Sequence, residues 1–248
     1  MSLLTVDNVS FGYTRSRLVL DGASLTIAPG DSIGLVGESG SGKTTLLRLL
    51  LGLIRPSSGT LTFKQAQLDP ANAAFMRDYR RQVQVVFQDP YSSLDPRQSV
   101  RAIVAEPLRS LRIAGDHRLM VTDALVAVGL DAGILERYPH EFSGGQRQRI
   151  AIARAIVSDP SLLLADEAVS ALDLSTRIRI VELLKSLSQT MTLVFVSHDL
   201  GVVAALCERI VILEQGRIVE AGPTAAILAN PQHPYTQRLL ASVPRMPA

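Results

Sequence analysis

The chain has 248 residues, 47% of them apolar and 4% aromatic, and its 25 Lys and Arg against 23 Asp and Glu leave a formal charge of +2. That length holds one large domain or two small ones with ample core, and the balanced charge, with no basic run interleaved with aromatics, argues against a nucleic-acid partner. A lone cysteine, Cys207, excludes an intrachain disulfide and a cysteine-based metal site and fits a reducing compartment. The start, Met1 to Asp7, lacks the pattern of a signal peptide, and no apolar run reaches the ~18–20 residues that cross a bilayer, so the expectation is a cytosolic chain that does not span a membrane by itself.

In chain order, Leu4, Val6 and Val9 open a β-like region that ends at Phe11-Gly12-Tyr13. A second strand is expected around Leu18 to Leu20, and a third where Ala23, Leu25 and Ile27 alternate before the Pro29-Gly30 turn. Composition makes Tyr13 an ordinary strand residue, although it is the aromatic nearest the next motif and could stack on a base. Ser32-Ile33-Gly34-Leu35-Val36 then reads as a buried strand.

It feeds Gly37-Glu38-Ser39-Gly40-Ser41-Gly42-Lys43-Thr44, which has the G-x-x-x-x-G-K-[ST] spacing of a phosphate-binding loop. Leu46, Leu47, Leu50 and Leu51 follow at helical spacing, and Gly52 with Arg55-Pro56 ends that helix. Strand, glycine-rich turn and helix in that order point backbone N–H groups into one concavity beside the positive end of a helix dipole. Lys43 would reach the β- and γ-phosphates of a nucleotide, the Thr44 hydroxyl would bind Mg²⁺, and Thr45 in the first helical turn joins the nucleotide-binding set. A flexible Gly/Ser linker is the bland alternative, and the ordered flanks disfavour it.

Ser58 to Phe63 adds a turn and a strand, and Gln82 to Phe87 alternates into another that Gln88-Asp89-Pro90 stops. Phe87 to Arg97 carries two prolines and reads as a structured loop, with Tyr91 and Leu94 as its large apolar side chains. Two uses compete for those side chains: burial against another chain, or packing back on neighbouring helices. From about Val100 to Val157 the spacing of Ile103, Val104, Leu108, Leu111, Leu119, Leu125 and Val128 is helical, which suggests an inserted subdomain.

Its last helix opens at Ser143-Gly144-Gly145-Gln146 and runs to Ser158-Asp159-Pro160. Ser143 is placed as an N-cap, and paired glycines there cost about 1 kcal/mol each unless something approaches closely, so a second anion site competes with a plain cap. Leu162 to Ala165 is an apolar run ending in Asp166-Glu167. In an open α/β sheet ligands sit beyond the carboxyl ends of the strands. There Asp166 can hold Mg²⁺ through water, and Glu167 can take a proton from an attacking water; an exposed acidic turn is the alternative. Met191 to Val196 is the next strand, with His198 at its end; alone it would more often be a loop histidine, but its placement at a third strand end puts it near the γ-phosphate. Arg209 to Leu213 and Arg217 to Glu220 form a hairpin, and Thr224 to Ala229 and Tyr235 to Ser242 are short helical segments.

With these pieces in order the chain closely resembles the ATP-binding subunits of ABC transporters over nearly its whole length. The phosphate loop, Gln88, Ser143-Gly144-Gly145-Gln146, Asp166-Glu167, Ala171-Leu172-Asp173 and His198 follow the family order. The resemblance implies an α/β fold: one ATPase domain over 1–248, with a RecA-like P-loop core plus antiparallel β subdomain in 1–88 and 158–223, a helical subdomain in 89–157 and a short helical tail in 224–248. It also implies adenine stacking by Tyr13, sensing of Mg²⁺ and water by Gln88, a dimer-contact role for Asp173 and γ-phosphate contact by His198. The implied cofactors are ATP and Mg²⁺. In the implied assembly two cassettes pair head to tail, so that Ser143-Gly144-Gly145 of one closes on the nucleotide held by Lys43 of the other. Two membrane-spanning permeases and, indirectly, a substrate-binding protein complete it at the cytoplasmic face of the membrane.

Phe87 to Pro96, Tyr138 to Gln146 and His233-Pro234-Tyr235-Thr236 resemble the peptide and nickel importer branch, which suggests a related but different partner cassette. Two departures lean towards a metal or metal–chelate cargo: Ala168-Val169-Ser170 after Glu167 where many relatives have a proline, and a chain that stops after Val243-Pro244 without a cysteine-containing extension. A soluble ABC ATPase of DNA repair or translation is the competing class, but it usually carries a coiled-coil insert or a second cassette, and neither is present. A P-loop kinase would leave the Ser143 motif and the 88–97 loop unexplained.

Overall fold

A computed structural model describes residues 2–14 and 17–242, and Val243, Pro244 and the remaining tail lie outside the described residues. The elements run β1 (Leu4–Phe11), β2 (Leu20–Ile27), β3 (Ser32–Val36), α1 (Lys43–Leu50), β4 (Ser58–Phe63) and β5 (Ala66–Gln67). Next come α2 (Ala73–Gln82), β6 (Val83–Val86), α3 (Pro90–Ser93), α4 (Val100–Val104), α5 (Glu106–Ser110), α6 (His117–Ala127), α7 (Gly144–Ile156), β7 (Leu162–Asp166) and α8 (Leu174–Leu187). The chain closes with β8 (Thr192–Ser197), α9 (Leu200–Leu206), β9 (Arg209–Glu214), β10 (Arg217–Pro223), α10 (Thr224–Ala229) and α11 (Pro234–Ala241). It divides into two compact units, Met1–Asn72 with Thr192–Ala248, and Ala73–Met191.

In the first unit β2, β1, β4 and β5 pair antiparallel in that order. The two strands expected at Leu18 to Leu20 and Ala23 to Ile27 are one strand. Gly22 takes a left-handed φ of 62° and donates its N–H to Ser10 Oγ at 2.9 Å, so the chain bulges there and continues. Leu18 lies outside the strand and is exposed. A second set of strands runs β10-β9-β3-β8, with β3 parallel to both neighbours and the β9–β10 hairpin antiparallel. Every residue of β3 and β8 is buried, which is why each reads as a continuous apolar run rather than an alternating one.

Helix α9 packs onto β3 so closely that a Cβ on Gly34 would overlap Val203 Cγ1. At the foot of the sheet, Arg209 donates to Asp31 at 2.6 Å while Leu193 N–H donates to the Asp31 carbonyl at 2.8 Å, which ties β9, β3 and β8 together. The lone Cys207 is buried, and desolvation pushes its thiol up to about 12, so it is packing and not a reactive group.

The second unit is built round α7, whose Ile150, Ala151, Ile152, Ala153 and Ala155 are all buried. β6 lies parallel to β7 in the register Val86↔Ala165. Helices α2 and α8 have little sequence signature, because α2 buries only Met76 and Tyr79 and α8 only Ile180 and Leu184. Among the described residues no helix is long and apolar enough to cross a membrane.

The contact between Gly34 and Val203 gives a test of this packing. Gly34→Ala should cost about 1–3 kcal/mol in urea unfolding, and Val203→Ala in the same chain should recover part of that loss although it deletes buried methyls on its own.

Candidate active site

In the first unit β3 runs straight into the loop, and Gly40 (φ 83°) and Gly42 (φ 111°) take left-handed conformations that a side chain would strain. Gly42 is the N-cap of α1 and offers no side-chain cap, so the first-turn N–H groups keep the dipole-aligned geometry that binds phosphate. Gly37 cannot carry a Cβ either, since one would overlap the Leu213 carbonyl and sit 2.6 Å from Ser41 Oγ. The Ser41 hydroxyl is itself buried without a hydrogen-bond partner, an unsatisfied polar group inside the loop that an anionic ligand can relieve.

Lys43 is buried, and its Nζ donates to the carbonyls of Gly37 at 2.6 Å and Glu38 at 2.9 Å. The ammonium is thus held under the loop in a fixed place. β8 lies parallel to β3 in the register Val36↔Ser197, so Gly37 and His198 are the next residues beyond the same strand ends.

Tyr13 lies beyond the end of β1 and is 57% exposed, which overturns its reading as a strand residue. Its hydroxyl accepts from Arg48 at 2.9 Å and meets Thr45 Oγ1 at 3.4 Å, and its ring stands edge-on to Phe11 with centroids 5.0 Å apart. The hydrogen bond to Thr45, followed by Arg48, lowers the phenol below its ordinary pKa. Both groups that steer the ring therefore come from α1, the helix that carries the phosphate loop.

In the second unit Gln88 and Glu167 leave the carboxyl ends of neighbouring parallel strands, and Ser170 links them. Gln88 Nε2 donates to Ser170 Oγ at 3.2 Å, and both Ser170 N–H and its hydroxyl donate to the Glu167 carbonyl at 3.0 Å. Glu167 follows the last residue of β7 with a left-handed φ of 44°. A non-glycine residue held there costs of order 1 kcal/mol or more, and such strain recurs where a side chain must be aimed. Ser170 thus supplies the hydroxyl that joins the Gln88 loop to the acidic turn.

Ser143 and Gln146 form a reciprocal capping box, Ser143 Oγ accepting from Gln146 N–H at 3.3 Å and Gln146 Oε1 accepting from Ser143 N–H at 3.0 Å. The cap uses the hydroxyl only as an acceptor and leaves its proton to donate elsewhere. The two glycines have different causes. A Cβ on Gly145 would overlap Thr176 Cγ2, so packing against α8 explains it, whereas a Cβ on Gly144 would meet only Leu172 and the Tyr91 hydroxyl at 3.9 Å. Nothing within the unit requires Gly144 to be glycine. Asp173 caps α8, accepting from Thr176 N–H at 3.0 Å and Ser175 Oγ at 2.7 Å, and these bonds hold its carboxyl well below the usual range.

The 88–97 loop is half anchored. Leu94 is 2% exposed and belongs to the core, so of the two competing uses it packs inward. Tyr91 is 62% exposed, with the Arg147 guanidinium 4.1 Å from its ring centroid. Arg147 also donates to the Pro139 carbonyl at 2.7 Å, and Arg154 to the Ser93 carbonyl at 2.6 Å, so α7 grips the loop at two points. Arg147 and Ser170 were silent in the sequence because one is an ordinary helix arginine and the other an ordinary turn serine.

The family model described as ABC transporter matches residues 20–170, and one described as oligopeptide/dipeptide transporter, C-terminal region, matches residues 219–248. A Brucella ovis protein named "Putative peptide import ATP-binding protein" is 45% identical over 249 residues, covering 98% of this chain and 78% of that protein. A Brucella abortus protein of the same name is 47% identical over 240 residues, covering 92% and 71%. Among solved structures, cbiO1 from Clostridium perfringens, part of the ABC transporter complex cbiONQ, superposes with a TM-score of 0.83 at 26% identity over 92% of this chain and 91% of that one. The cassette MJ0796, dimeric and bound to ADP and Pi, gives a TM-score of 0.77 at 29% identity over 89% and 98%. The chain belongs to the ABC transporter family. It is an ATP-binding, ATP-hydrolysing cassette of that family.

The unequal glycines separate fold from function. Gly145→Ala should lower the melting midpoint of the free subunit, whereas Gly144→Ala should leave it unchanged or raise it, since alanine is worth up to about 1 kcal/mol over glycine in a helix. If Gly144 faces a nucleotide on a second subunit, Gly144→Ala should still depress ATPase turnover. Leu94→Ala should cost about 2–5 kcal/mol in denaturant unfolding, while Tyr91→Ala costs little in the same measurement.

Proposed function

We propose that the chain is the ATPase of a peptide importer, acting as a peripheral subunit on the cytoplasmic face of the membrane. The observation that carries this reading is identity of 45–47% to proteins named for peptide import, along nearly the whole chain and with the oligopeptide/dipeptide C-terminal region alongside. The cassette would pair head to tail with a related chain and drive two permeases fed by a binding protein, although the cassette itself touches no cargo.

In this reading ATP is bound by the N–H groups of Gly40 to Thr45, with Lys43 on the β- and γ-phosphates and Tyr13 stacked on the base. The fixed place of the Lys43 ammonium and the buried, unpartnered Ser41 hydroxyl fit an anionic ligand. For Mg²⁺ the first unit would offer the Thr44 hydroxyl, and the second Asp166, through water, with Gln88, oxygen donors of the kind this ion takes beside substrate phosphates. When bound it neutralises charge on the phosphate oxygens. Glu167 accepts a proton as water attacks the γ-phosphorus, the bond to ADP breaks, and His198 and the Ser143 hydroxyl of the opposite subunit donate to the transferred group. The Gln88–Ser170–Glu167 hydrogen bonds tie the Gln88 side chain to the backbone carbonyl of the residue that carries the proposed base.

Lys43→Ala should abolish tight binding of ATP–Mg²⁺ by equilibrium titration, since only backbone dipoles then face the β- and γ-charge. Glu167→Gln should retain ATP and lose roughly 10²–10⁴ in turnover, and it should accumulate an ATP-bound dimer on size exclusion. Parent-like turnover in that variant would falsify the role of Glu167. For cargo, the subunit reconstituted with its permeases and binding protein should show ATPase stimulated by peptides and not by nickel chelates.

A further inference from the structure

The phosphate loop is held from outside by the C-terminal helix through a single hydroxyl. Tyr235 on α11 is 4% exposed, and its Oη accepts the backbone N–H of Glu38 at 2.8 Å. That N–H and the Gly37 carbonyl belong to one peptide unit, and the same carbonyl accepts from Lys43 Nζ at 2.6 Å. The chain of contacts is therefore Tyr235 hydroxyl, Glu38 N–H, Gly37 C=O, Lys43 ammonium. A peptide plane clamped at both ends cannot rotate, and a hydrogen bond at its N–H polarises its carbonyl towards the ammonium.

The helix is itself fixed in place. Glu220 on β10 accepts from the N–H groups of Gln232 at 2.9 Å and His233 at 3.1 Å, His233 Nδ1 caps Tyr235 N–H at 3.2 Å, and Arg238 pairs with Glu214 at 3.3 Å. Burial, with the Glu38 and Glu214 carboxylates nearby, keeps the phenol above its ordinary pKa, so it stays a neutral hydroxyl.

We infer that Tyr235 is a positioning residue for ATP binding, which sets the place of the Lys43 ammonium by clamping the Gly37–Glu38 peptide. This deepens, and rests on, the reading of the loop as the nucleotide site. It also assigns a task to the segment matched by the oligopeptide/dipeptide C-terminal region model, which begins at residue 219.

The test compares Tyr235→Phe, which keeps the ring and deletes the hydroxyl, with Leu239→Ala, which loosens the same helix and keeps the hydroxyl. A nonhydrolysable ATP analogue with Mg²⁺ is titrated into each free subunit, and KM and kcat are measured beside the melting midpoint. Tyr235→Phe should raise Kd and KM for ATP roughly three- to tenfold, the size of one lost hydrogen bond, with kcat little changed. Leu239→Ala should lower the midpoint at least as far and leave Kd within about twofold. In the parent, the Glu38 amide should exchange slowly with solvent by NMR before any nucleotide is added. Parent-like Kd in Tyr235→Phe, equal weakening in Leu239→Ala, or fast exchange of the Glu38 amide would overturn the proposal. Failure of the parent itself to bind the analogue would instead overturn the nucleotide-site reading.

Discussion

A loop that must wrap phosphate with backbone N–H groups cannot also carry the side chains that would hold its shape. Gly37, Gly40 and Gly42 give the close approach and left-handed turns, and in doing so they leave the segment entropically expensive to order. The first unit meets that constraint by bracing the loop from neighbouring elements. Gly216 N–H, in the turn of the β9–β10 hairpin, donates to the Ser41 carbonyl at 2.8 Å, the Leu213 carbonyl closes over Gly37, and Tyr235 takes the Glu38 N–H. Lys43 closes the set from within. Charge at the site is thus placed by packing: the hairpin and α11 fix peptide planes, and those planes fix the ammonium.

The second unit solves a different problem. The groups proposed to act there sit on short segments that leave one rigid helix or one strand end, and hydrogen bonds between those segments carry position from one to the next. Ser170 couples Gln88 to Glu167, and Arg147 couples the start of α7 to Tyr91. The Glu167 backbone is held in a left-handed conformation by the bonds that Ser170 makes to its carbonyl, so the departure from the more usual proline still leaves the turn fastened.

Much of this was legible in the sequence for physical reasons. β3 and β8 are parallel and buried on both faces, so they appear as apolar runs, and the loop has the spacing of a phosphate-binding loop. The start and stop of α7 follow from Ser143 and from Asp159-Pro160. Helices α2, α8 and α9 carry too little pattern to be legible, because α2 and α8 each bury only two large side chains and α9 has just seven residues. The split of one strand into two arose from Gly22, whose bulge breaks the alternation without ending the pairing. Leu94 and Tyr91 could not be told apart in a Pro-bearing loop, since only the packing of α7 decides which one turns inward. Tyr235 belongs to the His233-Pro234-Tyr235-Thr236 motif, but its partner is a backbone N–H about two hundred residues earlier, and a backbone donor leaves no mark in the sequence.

The contrast between Gly144 and Gly145 shows how a motif divides into fold and function. Gly145 is fully accounted for by Thr176 of α8 and would be needed in a protein that bound nothing. Gly144, one residue earlier, has room for a methyl group, and an alanine there would favour the helix. A residue that costs stability and relieves no internal clash points to a contact outside its own unit. The Ser143 hydroxyl points the same way, since its cap consumes an acceptor and leaves a donor. In the head-to-tail pairing proposed above, both spare features meet the phosphate of the opposite subunit, and the helix start gives up some stability to leave that face bare.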